Sequence, residues 1–186
     1  MENNRITEEY RGHKLLSAFH EGRFKGRIWK SKELLTEIEG DGIDDVLSKL
    51  RDYVDTRFTS LAEKRTDAPG AVEYRNAFQN IISRLPEGYL AMLKAHYLAD
   101  KQEITATELA EAAGYANYSA ANLHYGLLGK KLYEELPMNL PKRSDGSMIY
   151  TFALAIAGNK SGPEKHWVWK LREEVSLAIE QLGINV

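Results

Sequence analysis

The 186-residue sequence predicts an α+β fold, mostly α. Three observations carry that prediction. Apolar and polar residues alternate between Tyr10 and Trp29, the two-residue period of strands. From Asp44 onward apolar residues recur mainly at three- and four-residue steps, the period of helices. Between these regimes, Lys64-Arg65-Thr66-Asp67-Ala68-Pro69-Gly70 has the composition of a linker or an exposed loop. The chain therefore divides into a small strand-strand-(strand)-helix unit over 1–65 and a helical region over 71–186.

Composition agrees with a packed interior. Hydrophobic residues make up 43% and charged residues 28%, and ten Tyr, five Phe and three Trp offer large buryable surfaces. Disorder across the whole chain is excluded on that basis. The absence of cysteine excludes disulfides, Cys-ligated zinc and thiol nucleophiles, and fits a reducing compartment. The polar, acidic first ten residues lack the apolar core of a signal peptide. No stretch approaches the roughly 18 apolar residues of a membrane span, so a cytoplasmic protein without membrane partners is expected. The net charge is -2, with 13 basic and 14 acidic residues before Gly70 against 12 and 13 from there on. Bulk electrostatic attraction to nucleic acid is thereby excluded, and any such site must be a local patch.

Taken in order, Leu16 and Ala18 alternate with Leu15, Ser17 and Phe19, and Phe24, Gly26 and Ile28 alternate with Arg23, Lys25, Arg27 and Trp29. Two strands are predicted, joined by a tight turn at His20-Glu21-Gly22-Arg23 in which Gly22 takes positive φ. Glu33 to Glu39 reads as a third strand or a short helical turn, ended by Asp41-Gly42. Asp44 to Leu61 is an amphipathic helix with Val46, Leu47, Leu50, Tyr53, Val54 and Phe58 on its apolar side. Tyr74, Phe78, Ile81, Ile82 and Leu85 mark the next helix, stopped by Pro86, which has no amide hydrogen to donate. Leu90, Leu93, His96, Tyr97 and Leu98 mark another.

Thr105-Ala106-Thr107-Glu108 fits a capping box at the start of a short helix carrying Leu109, Ala110 and Ala113. Gly114 stands where a left-handed C-terminal cap is wanted. Ser119 is the predicted N-cap of a longer helix with Leu123, Leu127, Leu128, Leu132 and Leu136 as its core stripe. Short helix, turn and longer helix over 105–136 is a helix-turn-helix arrangement. Asn117, Tyr118, Ser119, Asn122 and Tyr125 are the candidate base-contacting residues, Asn being suited to bidentate adenine recognition. Lys130 and Lys131 are candidate phosphate contacts. Gly126 and Gly129 suggest close approach of a phosphate or of a neighbouring helix; the whole pair of helices also suits ordinary core packing. Beyond the charged turn Lys142-Arg143-Ser144-Asp145-Gly146, Met148 to Ile156 is predicted as a strand, placing a wing at 147–157. The region is winged-helix-like on that reading. His166 to Gly183 is predicted as a closing helix, its Trp residues serving as core anchors.

Two resemblances bear on function. Thr105-Ala106-Thr107-Glu108-Leu109-Ala110, Gly114-Tyr115 and Asn122-Leu123-His124-Tyr125-Gly126-Leu127-Leu128-Gly129, with Trp169-Lys170-Leu171-Arg172 and Leu182-Gly183, resemble uncharacterised bacterial proteins and the DNA-recognition regions that accompany HNH-type restriction endonucleases. That resemblance implies DNA recognition, linked to restriction or host–phage conflict. Tyr10-Arg11-Gly12, Arg23-Phe24 through Ile28 and the helix from Asp44 to Asp55 look like the sheet-plus-helix unit of AP2-type DNA-binding domains, which implies contacts from Arg11, Arg23, Lys25 and Arg27; a solvated hairpin face is the alternative.

No catalytic constellation, metal site or cofactor motif is predicted. His13, His20, His96, His124 and His166 show no metal-ligand spacing, and His96 is expected in or near the core. Asp41, Asp44 and Asp45 lack calcium-loop spacing and are expected to cap the following helix. The leading expectation is a DNA-binding protein without activity of its own. The alternatives are a protein-interaction module, such as an accessory subunit or phage-type inhibitor, and an enzyme whose site is assembled only in space.

Overall fold

The computed structural model describes residues 5–30, 32–158 and 167–183. It comprises two compact units, the first ending at Arg65 and the second beginning at Thr66, inside the predicted loop. At 54% helix and 25% strand among the described residues, the fold is α+β, mostly α. No helix of the described residues is long and apolar enough to cross a membrane.

The first unit is an antiparallel meander of β1 (Arg5–Tyr10), β2 (His13–His20), β3 (Arg23–Lys30) and β4 (Glu33–Gly40), followed by α1 (Ile43–Lys64). Both of its first two hairpins turn on two residues with positive φ, Arg11-Gly12 at 47° and 67° and Glu21-Gly22 at 51° and 80°. Such turns match the twist of paired strands. Leu15, Ser17 and Ile28 are buried on the inner face, where Val46, Leu47, Leu50 and Val54 of α1 cover them. The helix lies close because β3 carries Gly26 there; a Cβ would run into Val46 and Leu50. Glu33–Gly40 is a strand, which decides between the two predicted alternatives. β1 was not predicted, because Arg-Ile-Thr-Glu-Glu-Tyr offers only Ile6 and Tyr10 as apolar residues, and Glu8 is held by Arg51 of α1 at 3.0 Å.

The second unit runs α2 (Ala71–Ile81), α3 (Glu87–Leu98), β5 (Glu103–Thr105), α4 (Ala106–Ala113), α5 (Tyr118–Glu135), β6 (Ala155–Ala157), β7 (Val168–Leu171) and α6 (Glu173–Leu182). The three short strands form an antiparallel sheet in the order β5-β7-β6. Its core joins Tyr74 and Phe78 of α2, Met92 and Leu93 of α3, Leu109 of α4, Leu128 and Leu132 of α5, and Val175 and Ile179 of α6.

Two predicted elements are corrected. Within the expected strand Met148 to Ile156, Tyr150–Ala153 is a 3-10 turn and only Ala155–Ala157 is strand. The turn is pulled inward by α5 and α2: Gly129 of α5 passes so near the Tyr150 carbonyl that a Cβ would overlap it, and the Tyr74 hydroxyl of α2 donates to the Ala153 carbonyl at 2.7 Å. The expected helix from His166 starts only at Glu173, because Val168–Leu171 is strand β7 and alternates buried Trp169 and Leu171 with exposed Lys170. His166 itself lies outside the described residues.

Candidate nucleic-acid interface

The helix pair is built as the capping signals predict, with one shift. Thr105 Oγ1 accepts the Glu108 amide at 3.3 Å while the Glu108 carboxylate accepts the Thr105 amide at 2.7 Å. Two orphan donors at the start of α4 are satisfied reciprocally. Gly114 takes φ 67°, and the Tyr115 amide reaches back to the Ala110 carbonyl at 2.8 Å, closing the end of α4. The N-cap of α5 is Asn117, not Ser119. Asn117 is extended, at φ -165° and ψ 169°, and its side-chain oxygen accepts the Ala120 amide at 3.0 Å, so helical geometry begins two residues earlier than predicted. The turn between the helices is packed rather than loose. The Tyr115 ring stacks on His124 at 4.6 Å, and its hydroxyl end lies where a side chain at position 88 would stand, a space that Gly88 leaves open.

α5 buries Ala121, Tyr125, Leu128, Gly129 and Leu132. The predicted stripe was rotated, since Leu123 and Leu127 are 61% and 39% exposed. The outward face carries Ser119, Asn122, Leu123, Leu127 and Lys130, one turn above the next, with Tyr118 exposed at its start. Of the predicted contacts, Tyr118, Ser119, Asn122 and Lys130 are therefore on the surface. Asn117 is exposed with its oxygen committed to the cap, and Lys131 is half-buried. Lys130 lies 3.9 Å from Glu134 in an i,i+4 pair, which offsets part of its charge.

Tyr125 is a correction. It is fully buried, and its hydroxyl donates to His96 Nδ1 at 2.5 Å. With Nδ1 accepting, the proton sits on Nε2, which donates to the carbonyls of Gln102 and Trp169, each at 3.1 Å. Burial lowers the His96 pKa to about 4, against partial compensation from those carbonyls, so the ring is neutral at ordinary pH. Burial likewise pushes the Tyr125 phenol well above its ordinary range. The pair is an interior tie between α3, α5 and β7. A lone apolar-spaced aromatic such as Tyr125 carried no signal that its hydroxyl had an inward partner.

The structure also gathers residues that sequence reasoning left apart. Tyr118 and Asn122, one turn apart on α5, line a concavity of about 530 Å3 with Thr107 of α4, Arg143 and Thr151 from the segment after α5, and Trp167 and Trp169 at β7. Arg143 Nη1 donates to Ser147 Oγ at 3.3 Å and to the Met148 carbonyl at 3.1 Å, which holds the guanidinium in place. Trp169 is wedged against Phe152 edge-on at 5.4 Å, and Trp167, 46% exposed, stands edge-on to Trp169 at 5.6 Å. The two-residue spacing of Trp167 and Trp169 was the strand signal available in the sequence; the helical expectation for 166–183 obscured it.

In the first unit, the sheet face away from α1 is a shallow basic surface containing Arg5, Lys14, Lys25 and Arg27, with Phe19 and Trp29 among them. Acids face several of these cations: Arg23 meets Glu39 at 2.9 Å, and Arg27 and Lys25 meet Glu37 and Glu21. Arg11, which the AP2 resemblance made a contact, is turned toward α1 instead. It meets Asp55 at 2.6 Å as a charge pair without hydrogen-bond alignment and lies over the Phe58 ring at 4.5 Å. His13 is buried with Nδ1 on the Arg11 carbonyl and His20 is exposed, while Asp41, Asp44 and Asp45 do not cap α1 as expected: its N-cap is Gly42, without a side-chain cap, and the Asp45 carboxylate, already inside the helix, accepts the Asp41 amide at 2.9 Å.

Compared with protein-family models, with curated proteins and with solved structures, the chain matches none.

Proposed function

We propose that the chain is a DNA-binding protein without catalytic activity of its own, and that the second unit binds through the outward face of α5. One observation carries this: the run α3, β5, α4, α5, β6, β7 closes its strands in the order β5-β7-β6 beside a helix pair whose second member turns Ser119, Asn122 and Lys130 to solvent. That chain order is the one expected of a winged helix-turn-helix, where the second helix enters the major groove. The Asn122 side chain makes no hydrogen bond among the described residues, which leaves its amide able to read a base edge.

The test is fluorescence anisotropy with pools of random duplexes and single strands at about 50 and 200 mM salt. Binding that weakens steeply with salt is expected. Asn122→Ala should relax sequence preference, and Lys130→Ala should weaken all sequences alike. Absence of binding at the lower salt with protein at micromolar concentrations above ordinary non-specific Kd values, roughly 1–100 μM, would overturn the proposal.

Leu123 and Leu127, exposed on the same face, favour a second reading, a protein-interaction module. A stoichiometric protein partner that survives nuclease and high salt, and is lost on Leu123→Asp, would support it over DNA.

A further inference from the structure

We propose that the concavity beside the start of α5 is a nucleotide pocket, taking one unstacked base between Trp167 and Tyr118 with its phosphate on Arg143. This deepens the nucleic-acid role proposed above and rests on it for the source of the base. The base belongs either to a strand or to a free nucleotide; the pocket chemistry is the same for both.

Four features of the walls lead to this ligand class. The volume, about 530 Å3, falls inside the roughly 300–1,000 Å3 typical of small-molecule sites. Two large aromatic rings, Tyr118 and Trp167, line the space yet remain 61% and 46% exposed. Exposed aromatic surface in a concavity suits stacking against a flat heterocycle, which tolerates any base because every base has a π-face. Asn122 sets an amide donor and an amide acceptor on the same wall, the pair needed to read a base edge, and the buried Thr151 also contributes to the lining. Arg143 is the one charged side chain among the described lining residues, so the pocket favours an anion. Its Nη1 is held by Ser147 and Met148, so the remaining N–H groups of a planar fork stay oriented for a phosphate.

The walls are also firm. Trp169 is fixed by its carbonyl bond from His96 and by the Phe152 edge contact. A slot whose sides do not have to be ordered on binding loses less affinity to entropy.

The experiment measures labelled single strands by anisotropy, alongside matched strands lacking bases and the four deoxynucleoside monophosphates as competitors. Wild-type protein is expected to prefer the base-bearing strand about tenfold, in line with one stacked base. Trp167→Ala should remove that preference and Trp167→Phe should restore most of it. Arg143→Ala should weaken strands with and without bases alike. Both residues are at the surface, and circular dichroism checks that the variants fold. If monophosphates compete as well as strands and Trp167→Ala abolishes both, the pocket stands and its ligand is a free nucleotide, against the nucleic-acid role. If base-bearing and abasic strands bind equally and Trp167→Ala changes nothing while Lys130→Ala still weakens binding, the pocket is overturned and the role of α5 survives. If neither strands nor monophosphates bind, the pocket is overturned, and the role of α5 is decided by its binding to duplexes.

Discussion

The first unit packs one helix on one sheet around a cluster of six buried apolar residues, whereas the second gathers a cluster of twenty-five around α2 to α6 and a short sheet, both counted among the described residues. The units also treat a buried histidine differently. His13 keeps Nε2 without a hydrogen-bond partner, while every polar nitrogen of His96 is engaged. At its periphery the first unit relies on charge: Arg51 with Glu8, Arg11 with Asp55 and Arg23 with Glu39. A small core makes each of its members matter more, and ion pairs near solvent replace little of what a core residue contributes.

The largest expected effect tests that contrast in the small core. Leu50→Ala should destabilise the first unit by about 3 kcal/mol, within the usual range for emptying a buried leucine. Amide hydrogen exchange should then show lost protection in β2 and β3 with α5 unchanged; equal loss in both units would remove the distinction between them.

Acidification probes the second unit. The folded His96 pKa of about 4 lies below the ordinary 6.5, so between those values the unfolded chain takes up a proton that the folded chain refuses. Stability is full above pH 6.5 and falls as pH drops toward 4, by about 3 kcal/mol for this group. Burial lowers the His13 pKa as well, so the first unit responds with the same sign. Urea unfolding midpoints at pH 7, 5.5 and 4.5 should decline in that order; constant midpoints would show that neither ring is held neutral.

Tyr125→Phe leaves His96 Nδ1 buried without its donor, which should lower stability by about 2 kcal/mol, read by chemical denaturation. Asn117→Ala removes the cap of α5 and should lower stability by about 1 kcal/mol, with Asn117→Ser close to wild type. Arg23→Ala breaks an exposed pair and should change stability by at most about 0.5 kcal/mol. A loss comparable to that of Leu50→Ala would mean that charge, not the apolar layer, holds the first unit together.

The elements that could be read in the sequence are those whose signals are local. Thr105 with Glu108, Gly114 and the Glu21-Gly22 turn each specify their own backbone, and α1 announces itself through Val46, Leu47, Leu50 and Val54. What could not be read depends on partners distant in the chain. β1 is stabilised by pairing with β2 and by Arg51, not by its own pattern. Tyr150–Ala153 is a turn because Gly129 and Tyr74 draw it in. On α5, four leucines at mixed spacing admit two stripes, and packing against α3, α4 and the 3-10 turn chose the one through Tyr125 and Leu128. The candidate interface was half legible for the same reason. Asn122 and Tyr118 belong to one helix, but Arg143 and Trp167 reach them only through the fold.

The His96 tie has a mechanical consequence. One imidazole holds α5 through the Tyr125 hydroxyl and β7 through the Trp169 carbonyl, on opposite nitrogens. Turning α5 about its long axis would break the first bond, and sliding β7 would break the second, so helix and strand keep a common bearing. Whatever meets Asn122 on one side and Trp167 on the other finds their separation already set, as jaws of fixed gauge rather than as a hinge.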